Sequence, residues 1–173
     1  MDLRAAVRGS FRTVAAAEVR RLPGQADSRD RMLINRTCHC GTISFALDWP
    51  GEAAEIPARA CGCTFCTRHG GVWTSNPGAR LRVTLREKGA SSRYVFGTKT
   101  ATFHVCSVCG VVPFVSSEIG DCLYAVVNVN TFEGVDPSLV RRAGSDFEGE
   151  DVETRLARRA RNWIGDVRIE EGG

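Results

Sequence analysis

Thr37-Cys38-His39-Cys40-Gly41 runs directly into Thr42-Ile43-Ser44-Phe45-Ala46-Leu47-Asp48-Trp49, and the reading of this stretch decides the fold class. Ile43, Phe45, Leu47 and Trp49 alternate with more polar neighbours, the period of two of a strand with one buried face, and Pro50-Gly51 ends it. Cys38 and Cys40 sit too close in sequence to bond well to each other, yet both sulfurs can reach one soft cation. Gly41 gives the turn the backbone freedom to aim N–H groups at those sulfurs. A metal-bearing turn that feeds a half-buried strand predicts a zinc-stapled β domain.

Working outward, the pattern recurs. Cys106-Ser107-Val108-Cys109-Gly110 also ends in glycine and precedes the apolar run Val111–Val115. Two such turns supply four thiolates, which complete a tetrahedron around Zn²⁺ and leave no open position, so Cys38, Cys40, Cys106 and Cys109 read as a structural centre. Cys61-Gly62-Cys63-Thr64-Phe65-Cys66 supplies only three. A zinc held by Cys61, Cys63 and Cys66 would keep a fourth position for water or an incoming thiolate, which marks catalytic zinc. The alternative is a closed second site with His69 or Cys122 as fourth ligand. Seven of the eight cysteines are used this way. The eighth, Cys122, reads as a small buried apolar residue. No charged stretch followed by an apolar run opens the sequence, so metal rather than a disulfide framework is expected, and reduced thiols point to the cytoplasm.

The chain has 173 residues, 43% hydrophobic and 25% charged, ordinary for a globular domain with its own core. Its formal net charge of +3 is too mild to call for a nucleic-acid partner. Apolar runs such as Leu123–Val127 are strand-sized, so no membrane span is expected. Leu81, Val83 and Leu85 repeat the alternation, and Tyr94–Phe96, Thr102–Val105, Val111–Val115 and Leu123–Val129 are further strand candidates, together predicting antiparallel sheets. Glu150–Trp163 predicts a C-terminal helix that packs Val152, Leu156, Ala160 and Trp163 inward and leaves Arg155, Arg158, Arg159 and Arg161 to solvent. Residues 1–32 read as an appendage, disordered or partly helical over Phe11–Arg21; residues 33–165 read as the zinc domain and 166–173 as a tail.

Thr37-Cys38-His39-Cys40-Gly41, then Cys61-Gly62-Cys63-Thr64-Phe65-Cys66, then Phe103-His104-Val105-Cys106-Ser107-Val108-Cys109-Gly110-Val111 closely resembles the glutathione-dependent formaldehyde-activating enzyme family, whose domain is shared with centromere protein V. The likeness extends over residues 33–160 and takes in the Val-Asn-Val of the Tyr124–Asn130 run. It implies a mainly β, Mss4-like fold and two zinc ions, one structural at Cys38, Cys40, Cys106 and Cys109, and one catalytic at Cys61, Cys63 and Cys66. It also implies a carbon–sulfur lyase chemistry that joins glutathione, or a related small thiol, to formaldehyde or another small aldehyde. Thr67-Arg68-His69-Gly70-Gly71 departs from the basic pair and small residue common in the family after the third clustered cysteine.

Three thiolates outweigh the two charges of the metal, so such a site is a weak acid toward carbonyls and better suited to thiol activation. Arg68 and His69 are the candidates for contacts with glutathione carboxylates or for proton shuttling. His39 and His104 flank ligand cysteines, and Asn128 and Asn130 interrupt an apolar strand where they face either substrate or a turn. Phe65 and Trp73 read as packing residues. Two other classes fit the same residues: a non-catalytic Mss4-like zinc scaffold, and a thiol redox sensor whose Cys61 cluster releases zinc on oxidation.

Overall fold

A computed structural model describes residues 31–51 and 55–172. The helix expected over Phe11–Arg21 lies outside the described residues. In chain order the strands are β1 (Arg31–Thr37), β2 (Ile43–Pro50), β3 (Ile56–Cys61), β4 (Val72–Thr74), β5 (Arg80–Leu85), β6 (Ser91–Tyr94), β7 (Thr102–Cys106), β8 (Phe114–Ile119), β9 (Cys122–Asn128), β10 (Val140–Ser145) and β11 (Asp166–Glu171). Helix α1 (Thr64–His69) follows β3, and helix α2 (Val152–Asn162) precedes β11. Among the described residues the strands form a four-stranded sheet, β1-β2-β5-β11, and a seven-stranded sheet, β10-β3-β4-β9-β8-β7-β6. The fold is mainly β with a C-terminal helix, as the sequence predicts. The sheets are mixed, however: β10 runs parallel to β3, and β11 parallel to β5.

The alternation read in β2 is the inner face of the small sheet. Ile43, Phe45, Leu47 and Trp49 are 0–3% exposed, and Leu81, Val83 and Leu85 of β5 pack beside them. Ile56, Ala58, Phe114, Ala125 and Val127 of the large sheet close the same core from the other side. Their strand neighbours Val115 and Val126 point the opposite way and join Cys66, Trp73, Val112 and Trp163 in a second core. The middle of the large sheet is thus covered on both faces, which is why β9 reads as a nearly continuous apolar run. Phe114 is fully buried. Phe114→Ala should cost about 3–5 kcal/mol in transfer and cavity terms, measured by urea denaturation of the metal-loaded protein.

Several elements differ from the expectation for identifiable reasons. β8 starts at Phe114 rather than Val111, since the residues before it complete a cysteine turn in which Cys106 N–H donates to the Val111 carbonyl at 2.9 Å, and Pro113 offers no donor. β6 occupies Ser91–Tyr94 and ends before Phe96. Arg31 and Met32, read with the appendage, pair with Pro50 and Trp49 as the start of β1. Residues 166–171, read as tail, form β11: Val167 and Ile169 extend the small sheet's apolar face, and Arg82 Nη1 meets Asp166 Oδ1 at 2.9 Å. Among the described residues, no helix is long and apolar enough to cross a membrane.

Candidate metal centres and pocket

The first cysteine pair lies in the turn between β1 and β2, and Gly41 there adopts a φ of +78°. The second lies after β7, with Gly110 at a φ of +76°. Each glycine N–H closes its turn onto the carbonyl of the first cysteine, Gly41 to Cys38 at 3.0 Å and Gly110 to Cys106 at 2.9 Å. The two turns belong to different sheets, and packing of the sheets brings their thiols together. The Cys38, Cys40, Cys106 and Cys109 sulfurs all lie within 4.8 Å of one another, with Cys38 to Cys40 at 3.6 Å and Cys40 to Cys106 at 3.5 Å. A tetrahedron with Zn–S bonds of ~2.3 Å needs S···S edges of about 3.8 Å, so the donor set fits that ion. Ile43 N–H donates to Cys38 Sγ at 3.2 Å, an orienting bond of the kind metal thiolates receive. Burial raises the Cys38 thiol to about 12, whereas the Thr42 hydroxyl beside it lowers Cys40 to about 6.

The second cluster is local. Cys61 ends β3, Cys63 caps the N-terminus of α1 by accepting from Cys66 N–H at 3.4 Å, and Cys66 is buried in the helix. Gly70, at a φ of +61°, terminates α1 and returns the chain to β4, where Trp73 Nε1–H donates to Cys66 Sγ at 3.3 Å. The three sulfurs lie within 4.8 Å of one another. Cys61 titrates low, to about 5, because the Cys66 thiol beside it stabilises the thiolate; the same interaction and burial push Cys66 up. Such a shared set of protons and soft donors suits a metal ion.

This cluster opens on a cavity of about 490 Å³. Trp73, Phe103, Val115, Val126 and Trp163 form its apolar walls, and Arg59, Arg155, Arg158 and Arg159 bring four cations to it. Three of the four arginines of α2 overturn the expectation that this face is solvated, while Arg161 is exposed as expected. Arg159 is 7% exposed and packs its guanidinium 4.9 Å from the Trp163 ring centroid, and Arg155 and Arg158 are mostly buried against Glu150. Val152, expected to face inward, is 44% exposed. Trp163 is buried and Leu156 and Ala160 are half-buried, as expected, so helical periodicity located an inward face but not that the arginines beside it would be covered too.

The other candidate residues are placed as follows. Arg68 is exposed and donates to the Thr64 carbonyl at 2.8 Å; His69 is exposed and its ring packs tilted against Phe65 with centroids 4.4 Å apart. Neither lines the cavity, and neither His69 nor Cys122 joins the three sulfurs. Cys122, expected to be buried, is exposed at the start of β9. His104 is buried, stacked 4.0 Å from Phe114 and bonded to Ser116 Oγ at 2.8 Å, and burial lowers its pKa to about 4, so it is neutral. His39 is exposed. Asn128 is committed to the turn after β9: its Nδ2 donates to the Val112 carbonyl at 3.1 Å and its Oδ1 accepts from Asn130 N–H at 3.1 Å. Asn130 Nδ2 donates to the Gly70 carbonyl, tying that turn to the end of α1. Phe65 and Trp73 do pack, Phe65 within an aromatic group with Tyr94, Phe96 and Phe103.

Fold and site together define a mainly β domain with two thiolate clusters compatible with zinc, one closed and one open to a pocket. The chain belongs to the glutathione-dependent formaldehyde-activating enzyme family, whose model matches residues 33–143. A crystal structure of a protein from Rhodobacter sphaeroides is 34% identical over 60% of this chain and 91% of that one, with a TM-score of 0.46. Among curated proteins, none matches.

Proposed function

We propose that this protein is a zinc-dependent carbon–sulfur lyase-type enzyme that joins glutathione, or a related small thiol, to formaldehyde. The observation that carries the reading is the three-thiolate cluster opening on a cavity large enough for a tripeptide, in a chain of this family. Cys38, Cys40, Cys106 and Cys109 would hold the structural ion. Cys61, Cys63 and Cys66 would hold the second, which when bound lowers the pKa of a substrate sulfhydryl and leaves one position free for it. The protein's own part is binding and positioning. Trp73 Nε1–H fixes Cys66 Sγ, and Cys63 is held at the start of α1, so the cluster presents one open side to the cavity. The apolar walls exclude water around the reacting sulfur.

The reaction balances without a redox partner. The thiol sulfur attacks the formaldehyde carbon, a C–S bond forms, the C=O π pair moves to oxygen, and the proton lost by the thiol ends on that oxygen to give S-hydroxymethylglutathione. In reverse, the C–S bond breaks and the thiolate leaves. Free thiols and a zinc requirement suit a reducing compartment such as the cytoplasm. The test is metal content per chain together with calorimetric titration of glutathione, followed by formaldehyde consumption above the uncatalysed rate. Near two zinc ions and saturable glutathione binding are expected. Two zinc ions with no thiol binding would sink the enzyme reading in favour of a zinc scaffold.

A further inference from the structure

The four arginines at the cavity are of two kinds. Arg155 and Arg158 are matched by Glu150, whose carboxylate accepts from Arg158 Nε at 2.9 Å and Nη2 at 2.7 Å and lies 3.9 Å from Arg155 Nε. Arg158 also covers the Phe147 ring at 3.6 Å, so this group holds the segment between β10 and α2 in place. Arg59 and Arg159 have no carboxylate partner among the described residues.

Arg159 is braced on one side only. Its Nη1 donates to the Thr100 carbonyl at 2.7 Å, to Thr100 Oγ1 at 2.9 Å and to Ser117 Oγ at 3.2 Å, while its Nε is buried with no partner. Arg59, on β3, donates from Nη2 to Ser75 Oγ at 3.0 Å, and that hydroxyl donates onward to the Asn162 carbonyl at the end of α2, at 2.8 Å. These bonds fix both guanidinium groups toward one cavity and leave donors unused. Burial pulls Arg159 down to about 10, with repulsion from Arg155 and Arg158 adding to it, so it stays cationic at neutral pH. A buried guanidinium at Arg159 and a half-buried one at Arg59, both preoriented and without a carboxylate partner, are an incomplete arrangement, since buried charges are ordinarily paired, and the fork geometry of arginine matches a carboxylate.

We propose that Arg59 and Arg159 form a carboxylate-binding subsite, so that the thiol taken at Cys61, Cys63 and Cys66 is one carrying a carboxylate that docks on this pair. The proposal rests on the thiol reading above and names the feature by which that site selects its substrate. Arg159 lies outside the residues 33–143 that the family model matches. The apolar walls of Trp73, Phe103 and Trp163 keep the local dielectric low, which strengthens the pairing.

The test uses the full, zinc-loaded chain and three ligands in calorimetric titration: glutathione, its diester with both carboxylates blocked, and S-methylglutathione with the sulfur capped. Wild-type protein should prefer glutathione over the diester by on the order of ten- to a hundredfold. Arg159→Gln and Arg59→Gln should each reduce that preference while leaving diester affinity in place. Should Arg159→Gln fail to fold, Arg59→Gln, which gives up a single hydrogen bond to Ser75, carries the test. S-methylglutathione separates the two claims: if it binds as tightly as glutathione and with the same arginine dependence, the subsite stands and the thiol reading falls. Equal binding of acid and diester by the wild type overturns the subsite, as does failure of all three ligands to bind. Equal weakening of both by the variants also overturns it, because arginines that merely brace Thr100 or offset the cluster's negative charge would act on both alike.

Discussion

Cys106→Ser is expected to abolish folding of this protein, and chelation of the wild-type metal should do the same reversibly. Cys106 is 2% exposed and contributes to a cluster that joins the turn between β1 and β2 of one sheet to the turn after β7 of the other. A serine hydroxyl stays protonated at neutral pH and is a poor substitute for a thiolate on a soft ion. Structural zinc binding is worth roughly 10–16 kcal/mol in apparent terms, as large as the net stability of most domains, so losing the ion removes the margin on which the fold rests. Cys38 would also be left buried without a metal, in surroundings that already raise it to about 12. Circular dichroism of the variant, with zinc stoichiometry of any folded fraction, checks this. A folded Cys106→Ser protein with a wild-type melting midpoint would show that the sheets hold together without the clamp.

Cys63→Ser should give the opposite outcome: a folded protein that carries about one metal instead of about two and binds glutathione at least ~100-fold more weakly, a loss of about 2.7 kcal/mol. The difference lies in what each cluster connects. Cys61, Cys63 and Cys66 span only the end of β3 and the first turn of α1, so their ion closes no long loop. Cys63 is also the N-cap of α1, accepting from Cys66 N–H at 3.4 Å, a role in which serine serves as well. Zinc analysis, a melting curve and a glutathione titration on one preparation decide the matter. If the variant keeps both metals and full thiol affinity, the three-cysteine cluster is not where the thiol binds.

Much of this site was legible in the chain because metal ligation leaves a local mark. Cysteines one to three residues apart before a glycine identify themselves, and the residues that pair into each cluster followed from counting ligands against a tetrahedron. The β2 alternation was equally plain, since one face of that strand is wholly buried. β10 is not legible in the sequence because Val-Arg-Arg-Ala-Gly-Ser carries no apolar alternation; it is a largely exposed edge strand, held by parallel pairing with β3. Nor is β11, because its two apolar residues, Val167 and Ile169, become meaningful only beside β5.

The arginines show where the sequence stops. Arg155, Arg158 and Arg159 occur in a helix whose period was readable, but their burial depends on Glu150, Phe147, Thr100 and Ser117, which come from other segments. The sequence by itself determined the thiolate clusters, the mainly β character and the family, because ligand spacing and strand periodicity are properties of neighbours along the chain. Only the tertiary structure decided that the three-cysteine cluster faces a cavity with an arginine-lined wall, because that wall is made by packing α2 and β3 around one space, and the solvation of a charge depends on everything that surrounds it.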